Sequence, residues 1–433
     1  MSIPGDAGRS DRMRRRVLYW CLYDWANSAF ATVMLTAVLP VYFLDVAPKT
    51  VAWIGMHWPA ESLWAYVVGL SAAVMAMLMP FLGAVADQTG RRYTYWLIFG
   101  AVGMVATIWT GGVPRDQWWV LLLLFFVGNI GFGGSLVFYN ALLPHIVPAS
   151  AYDRVSSQGF AWGYVGGGLA LAGVLVWMAW APEWYGIPVD RAIRQGFVAT
   201  GLWWTGFGVL SFWGLRDLEP WTHPLRGIGP AFHAGWSRLI NTFRTIRQYR
   251  APFRFLIAYF IYNDAVETTI ALAAVFGRVA LDIPTTRLVL IILFVQFLAF
   301  PGALFWGWQT RRYSTRAVLE VLLFIWAGAT ASACFIRTEA AFWGLAAVIA
   351  WVLGGIQALS RSYYARLFPA EYSGEFFGFY AVTSKFAAIL GPILVGWFTQ
   401  WLGDIRMAVP VLAVFFLIGW GILRSVPPNG ETG

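Results

Sequence analysis

Apolar side chains fall along this chain in long uninterrupted blocks, separated by short polar stretches bearing glycine and proline. Twelve blocks are long enough to cross a bilayer: residues 17–44, 62–86, 93–112, 118–140, 158–181, 195–214, 253–276, 286–308, 316–336, 341–365, 376–400 and 406–424. A crossing takes about 20 apolar residues through about 30 Å of hydrocarbon. Backbone donors and acceptors in hydrocarbon need partners within the segment or a closed barrel, and no period-2 alternation marks barrel strands. The blocks therefore predict α-helices.

The longest polar interruption, 215–252, follows the sixth block and divides the chain evenly. The expected layout is a basic N-terminus at 1–16, a six-helix bundle at 17–214, a linker at 215–252, a second six-helix bundle at 253–424 and a tail at 425–433. Within the linker, Trp236, Leu239, Ile240, Phe243 and Ile246 are apolar at helical spacing, with Arg238, Arg244, Arg247 and Arg250 beside them. This pattern predicts an amphipathic helix lying on an anionic membrane surface.

Composition agrees with a protein that spends its length in lipid. Of 433 residues, 59% are hydrophobic and 12% charged, about half the charged fraction of a soluble domain. The net charge of +9 raises nucleic acid as a partner, but the placement of the charge argues against it. Of the 30 Lys and Arg, 21 fall on the side of the membrane that holds the N-terminus, 8 fall on the other, and Lys385 lies inside a span. That asymmetry puts both termini in the cytoplasm. Arg12, Arg14, Arg15 and Arg16 ahead of an apolar run resemble a signal peptide. The run continues to Leu44, too long for the roughly 7–15 residues of a signal core, so it reads as a first membrane helix. Cys21 and Cys334 fall toward opposite faces, and no disulfide is expected between them.

The two halves echo each other. The loop after the second block runs from Gly83 through Asp87 and Gly90 to Arg91-Arg92-Tyr93. The loop after the eighth block, 220 positions on, ends Arg311-Arg312-Tyr313, with Gly307 where the first copy has Asp87. Asp24, Asn27 and Ala31 likewise match Asp264, Glu267 and Ala271 at an offset of 240. Such duplication is frequent in secondary transporters, whose substrate site lies between the repeats near the midplane.

The sequence Gly83-x-x-x-Asp87-x-x-Gly90-Arg91-Arg92 resembles the signature between the second and third helices of the major facilitator superfamily. Other stretches resemble one branch of it: Tyr23-Asp24-Trp25-Ala26-Asn27, Asn129 through Tyr139-Asn140, Gly163 through Gly168, Tyr262-Asn263-Asp264, Gly354 through Ser362, Glu375 through Tyr380, and Gly391-Pro392. That branch is the Unknown Major Facilitator family, which is similar to the fungal autophagy-linked vacuolar amino-acid effluxers. The resemblance implies an all-α membrane protein of twelve helices in two bundles, carrying amino acids or similar metabolites. Ala265 and Glu267 depart from the pattern of the branch.

Charged groups at membrane depth mark function, because burying one costs about 2.5–3.5 kcal/mol or more. At the helical rise, Asp264 lies roughly 17 Å and Glu267 roughly 21 Å from the inner end of the seventh span, and Lys385 roughly 14 Å into the eleventh. Asp264 and Glu267 share one helix face. Proton or cation coupling, a static ion pair with Lys385 and direct substrate contact all remain open for this set. Asp24, with Asn27 a turn on, either binds a substrate amine, closes an inner gate, or is an interfacial carboxylate held by nearby bases. Asn129 and Gln357 either join helices by hydrogen bonds or contact substrate. Gly83 allows close helix packing, Asp87 caps a helix or pairs with an arginine, and Gly90 makes the turn. Arg361, Arg366 and Glu375 are either an inner gate or ordinary cytoplasmic charges.

Enzyme chemistry finds no support: His57, His145, His223 and His233 lie outside the twelve blocks, and no zinc-protease, serine-hydrolase or phosphate-loop motif occurs. A channel would need a repeated filter, and none repeats. The expectation is a monomeric, cofactor-free and metal-free secondary carrier in a plasma or inner membrane. It moves a small solute, amino acid or similar metabolite, by alternating access, in the efflux direction and with protons or cations coupled. The readings beside it are an uncoupled facilitator and a carrier of lipid-like molecules. Its partners are membrane lipids, a small-molecule substrate and protons, and not nucleic acid.

Overall fold

The computed structural model describes residues 4–53, 56–219, 249–387 and 390–427. Its first helix, α1 (Pro4–Ala29), starts well ahead of the apolar run, passes into a π-helical stretch at Phe30–Ala37, and bends by 41° into α2 (Leu39–Val46). The break falls at Pro40, in the first turn of α2, where a ring in place of an N–H removes one backbone bond and crowds the preceding turn. α1 and α2 form one broken crossing. A two-stranded hairpin, β1 (Thr50–Trp53) with β2 (Met56–Pro59), follows, antiparallel with Thr50 opposite Pro59.

The first bundle continues with α3 (Ala60–Thr89), α4 (Arg92–Thr110), α5 (Trp118–Ile146), α6 (Tyr152–Tyr185) and α7 (Val189–Leu215). The second holds α8 (Arg250–Leu281), α9 (Thr285–Gln309), α10 (Thr315–Ser332), α11 (Glu339–Ala365), the broken pair α12 (Ser373–Phe386) and α13 (Leu390–Leu402), and the pair α14 (Ile405–Ala408) and α15 (Val411–Leu423). Among the described residues nine helical segments, with α12–α13 and α14–α15 each taken as one, or ten with α1 and α2 joined, are apolar and long enough to cross. Adding α7 and α8, of 27 and 32 residues, and counting broken pairs as single crossings, gives two bundles of six. The expected amphipathic linker helix, apart from Arg250, lies outside the described residues, as do His223 and His233.

Helices outrun several apolar blocks, because polar residues continue the spiral beyond the hydrocarbon. His145, outside the apolar block 118–140, accordingly lies in the last turn of α5. The bundles meet chiefly along α3 with α12 and α6 with α9. Trp20, Trp96 and Trp204 fill the first bundle and Trp326 the second, all fully buried. The end of the molecule that carries the start of α1 and the α3–α4, α9–α10 and α11–α12 connections is arginine-rich, and is called the basic end below.

Candidate functional site

Three groups of bonds tie the two bundles together at the basic end. The central one is built on Arg361, in the last turns of α11 and only 2% exposed. Its guanidinium projects wholly into the first bundle. Nε donates to Ser156 Oγ and one terminal nitrogen to the Ser156 carbonyl, both at 2.9 Å. The other terminal nitrogen donates to Asn140 Oδ1 at 3.2 Å, and both reach Asp24 Oδ2 at 3.4 Å. Tyr139 donates its hydroxyl to the same Asp24 oxygen at 2.7 Å. The rings of Phe160 and Trp20 lie 4.3 and 4.6 Å from the guanidinium carbon. Planarity lets arginine accept stacking on its faces while its edge donates in a fork, which lysine cannot imitate.

The neighbouring latch is Asp153 in the first turn of α6. Arg366 donates to both of its oxygens at 2.8 Å, a paired, geometry-selective contact. Ser362 and Thr315 donate hydroxyls to the same carboxylate at 2.6 and 2.7 Å. Asp153 thus meets α10, the end of α11 and the residue just beyond it.

The third latch joins α3 to the start of α12. Gly83 lies so close to Gly374 that a β-carbon would run into the Gly374 carbonyl oxygen. This approach brings Asp87 to the α12 N-terminus, where its oxygens accept the backbone N–H groups of Gly374 and Glu375, each at 2.9 Å. Unpaired amides at a helix start favour an anion there. Arg92 donates to Asp87 at 2.6 Å and to the Glu371 carbonyl at 2.8 Å. Gly90 ends α3 at φ +69°, a left-handed conformation that glycine adopts without a side-chain clash. Arg91 is the residue before α4, and Glu375 is fully buried in the first turn of α12. His145 Nε2 bonds Ser373 Oγ at 3.2 Å, again across the bundles.

Nearer the middle of the molecule a second polar set lies between the bundles. Tyr164 on α6 donates to Gln357 on α11 at 2.5 Å. Glu267 on α8 interacts electrostatically with Lys385 on α12 and with Tyr164. Lys385 reaches the first bundle, its Cε 3.7 Å from where a β-carbon on Gly133 would stand. Asp264, three residues before Glu267 on α8, also acts electrostatically on Glu267; it is fully buried and accepts the Leu390 N–H at 3.2 Å, beside the break between α12 and α13. Asn129 donates to Ser71 at 2.7 Å inside the first bundle. Asn27 is buried on α1.

The structure therefore brings Asp24 to Arg361 and brings Glu267, with Asp264 beside it on α8, to Lys385, while Asn129 bonds within the first bundle. Sequence reading met Tyr139, Asn140 and Tyr164 only inside stretches of family resemblance and gave them no role, and it did not name Ser156, Asp153 or Thr315. Asp153 carried a further signal, as an acidic residue at a helix start on an otherwise basic side.

Two helical bundles with polar groups between them and ion pairs joining them at one end fit a membrane transporter of the major facilitator type. The family model described as "Vacuole effluxer Atg22 like" matches residues 12–152 and 148–429, and the chain belongs to that family. A Bacillus subtilis relative, "Uncharacterized MFS-type transporter YxiO", is 35% identical over 418 residues, covering 95% of each chain. "Autophagy-related protein 22" of Kluyveromyces lactis is 24% identical over 393 residues, 83% of this chain and 78% of the relative. Among solved structures, the human organic anion transporter MFSD10 matches 95% of this chain and 99% of its own with a TM-score of 0.71 at 15% identity, a likeness of fold.

Proposed function

We propose that this transporter moves a zwitterionic amino acid or similar metabolite out of the cytoplasm by alternating access, with the basic end facing the cytoplasm. The observation that carries this reading is the Arg361–Asp24 pair, a charge from one bundle held entirely by groups of the other. Such a pair forms in one arrangement of the bundles and is lost when they rock apart, so it biases a two-state element. With the Asp153–Arg366 and Asp87–α12 contacts intact, the conformation described is closed at the basic end. The positive-inside distribution supports the cytoplasmic orientation.

Between the bundles, Lys385 and Glu267 offer one positive and one negative charge, matched to the carboxylate and amine of an amino acid, with Tyr164 and Gln357 beside them. Substrate binding would replace their mutual attraction with two charge-assisted contacts. Glu267 is also the candidate proton carrier, with Asp264 on the same helix acting on it electrostatically. The family description as an effluxer supports the direction.

The test is a solute screen in proteoliposomes with and without a pH gradient. Saturable uptake with counterflow is expected, abolished by Lys385→Ala. Glu267→Gln is expected to keep counterflow and lose accumulation driven by the gradient. Accumulation by Glu267→Gln equal to wild type would remove that residue from coupling, and flux without saturation or counterflow would replace the carrier by a pore.

A further inference from the structure

At the basic end, on the side where α6 meets α9, two adjoining cavities of about 420 and about 150 Å³ share Arg154, Gly307 and Arg311 in their walls. The larger is lined also by the starts of α6 and α10 and by the Asp153–Arg366 pair. That pair is internally neutralised. Arg154, from the first bundle, and Arg311, from the second, are exposed, and among the described residues neither makes an ion pair. The internal repeat explains the excess positive charge of this loop, in which Arg311 corresponds to Arg91 and Arg312 to Arg92. In the first copy Asp87 neutralises Arg92 and caps the facing helix; in the second copy the corresponding position is Gly307, so the loop keeps both arginines and lacks the carboxylate.

The smaller cavity points to the kind of anion. Ser157 lines it, is 1% exposed, and its hydroxyl has no hydrogen-bond partner among the described residues. Beside it stand Leu304 and Trp308, apolar residues that are 37% and 49% exposed on α9. Two uncompensated guanidiniums, a free hydroxyl and two positive helix ends suit a phosphate. An apolar wall running from that phosphate along a membrane helix suits an acyl chain, and tryptophan at such a depth is common at the lipid interface.

We propose that this groove binds the headgroup of an anionic phospholipid between Arg154 and Arg311, with its chain along Leu304 and Trp308. Because the two arginines belong to different bundles, the bound phosphate bridges them and favours the conformation closed at the basic end. Basic pockets between helices on the cytoplasmic side are suited to such headgroups.

Delipidated protein in detergent tests the site, with phosphatidylglycerol, phosphatidylcholine and inorganic phosphate as probes and both lipid binding by native mass spectrometry and thermal melting as readouts. Phosphatidylglycerol is expected to bind and raise the melting temperature, with neither phosphatidylcholine nor equimolar phosphate matching it. The double variant Arg154→Gln, Arg311→Gln is expected to lose about thirtyfold in phosphatidylglycerol affinity, from two surface arginines. Arg312→Gln, one residue away, is expected to keep it. Undiminished binding by the double variant, equal binding of the two lipids, or an equal shift with inorganic phosphate would each overturn the proposal.

Discussion

Truncating Arg361 would leave the Asp24 carboxylate buried with the Tyr139 hydroxyl as its remaining bonded donor, and would also strip the Asn140 and Ser156 acceptors of their partner. Losing one side of a buried pair costs about 3–5 kcal/mol, because the other charge stays desolvated. Arg361→Ala is therefore expected to lower stability by about that amount in denaturation of the purified protein. Adding Asp24→Asn should recover part of the loss, since an amide is cheaper to bury than an unpaired carboxylate. No recovery in the double variant would mean that stacking on Trp20 and Phe160, rather than charge, holds this position. The sequence singles out Asp24 and Arg361 separately, 337 positions apart. That one neutralises the other is a fact of bundle packing, which no local spacing encodes.

Among the elements, the α3–α12 contact has the clearest sequence basis. Gly83 and Gly374 bring two backbones together, and Asp87, one turn on from Gly83, then reaches the amides that start α12. A side chain at position 83 must push the helices apart, and overpacking typically costs about 1–3 kcal/mol. Gly83→Val should lower the melting temperature and reduce transport together. Gly69→Val on the same helix, where a β-carbon would meet nothing within 4 Å, should lose much less. Equal losses would assign the effect to helix propensity instead of the contact. Pro40 likewise marks the α1–α2 break, although the π-helical stretch before it has no recognisable sequence signal. Helix ends were the least legible feature: α1 begins at Pro4 and α5 runs to Ile146, because turns of polar residues extend a helix without adding hydropathy.

For the whole molecule, a closed basic end implies that residues behind it are sealed until the bundles rock. Ala358, on α11 and fully buried, is such a position. In a Cys21→Ser, Cys334→Ser background, Ala358→Cys is expected to react slowly with a polar thiol reagent. Asp24→Asn together with Arg361→Gln should raise that rate severalfold by removing the central latch. An unchanged rate would show that the remaining contacts, Asp153–Arg366 and Asp87 with α12, keep the end shut by themselves. Exposed Leu70, Met77, Trp109, Val279 and Trp397 belong to the same scale, since side chains on the outside of a bundle need only match lipid.

By itself the sequence determined what lipid demands of every segment: helices, their number, their division into two sets and the bias of charge to one end. These follow from the solvation of backbone and side chains, which each residue experiences through its immediate neighbours along the chain. Tertiary structure decided which polar groups meet. It put Arg361 on Asp24, Arg366 on Asp153 and Lys385 near Glu267, and set Asp264 against the backbone of a broken helix. Those pairings depend on the register and angle between helices far apart in sequence, where each charge is stabilised by partners its own segment does not contain.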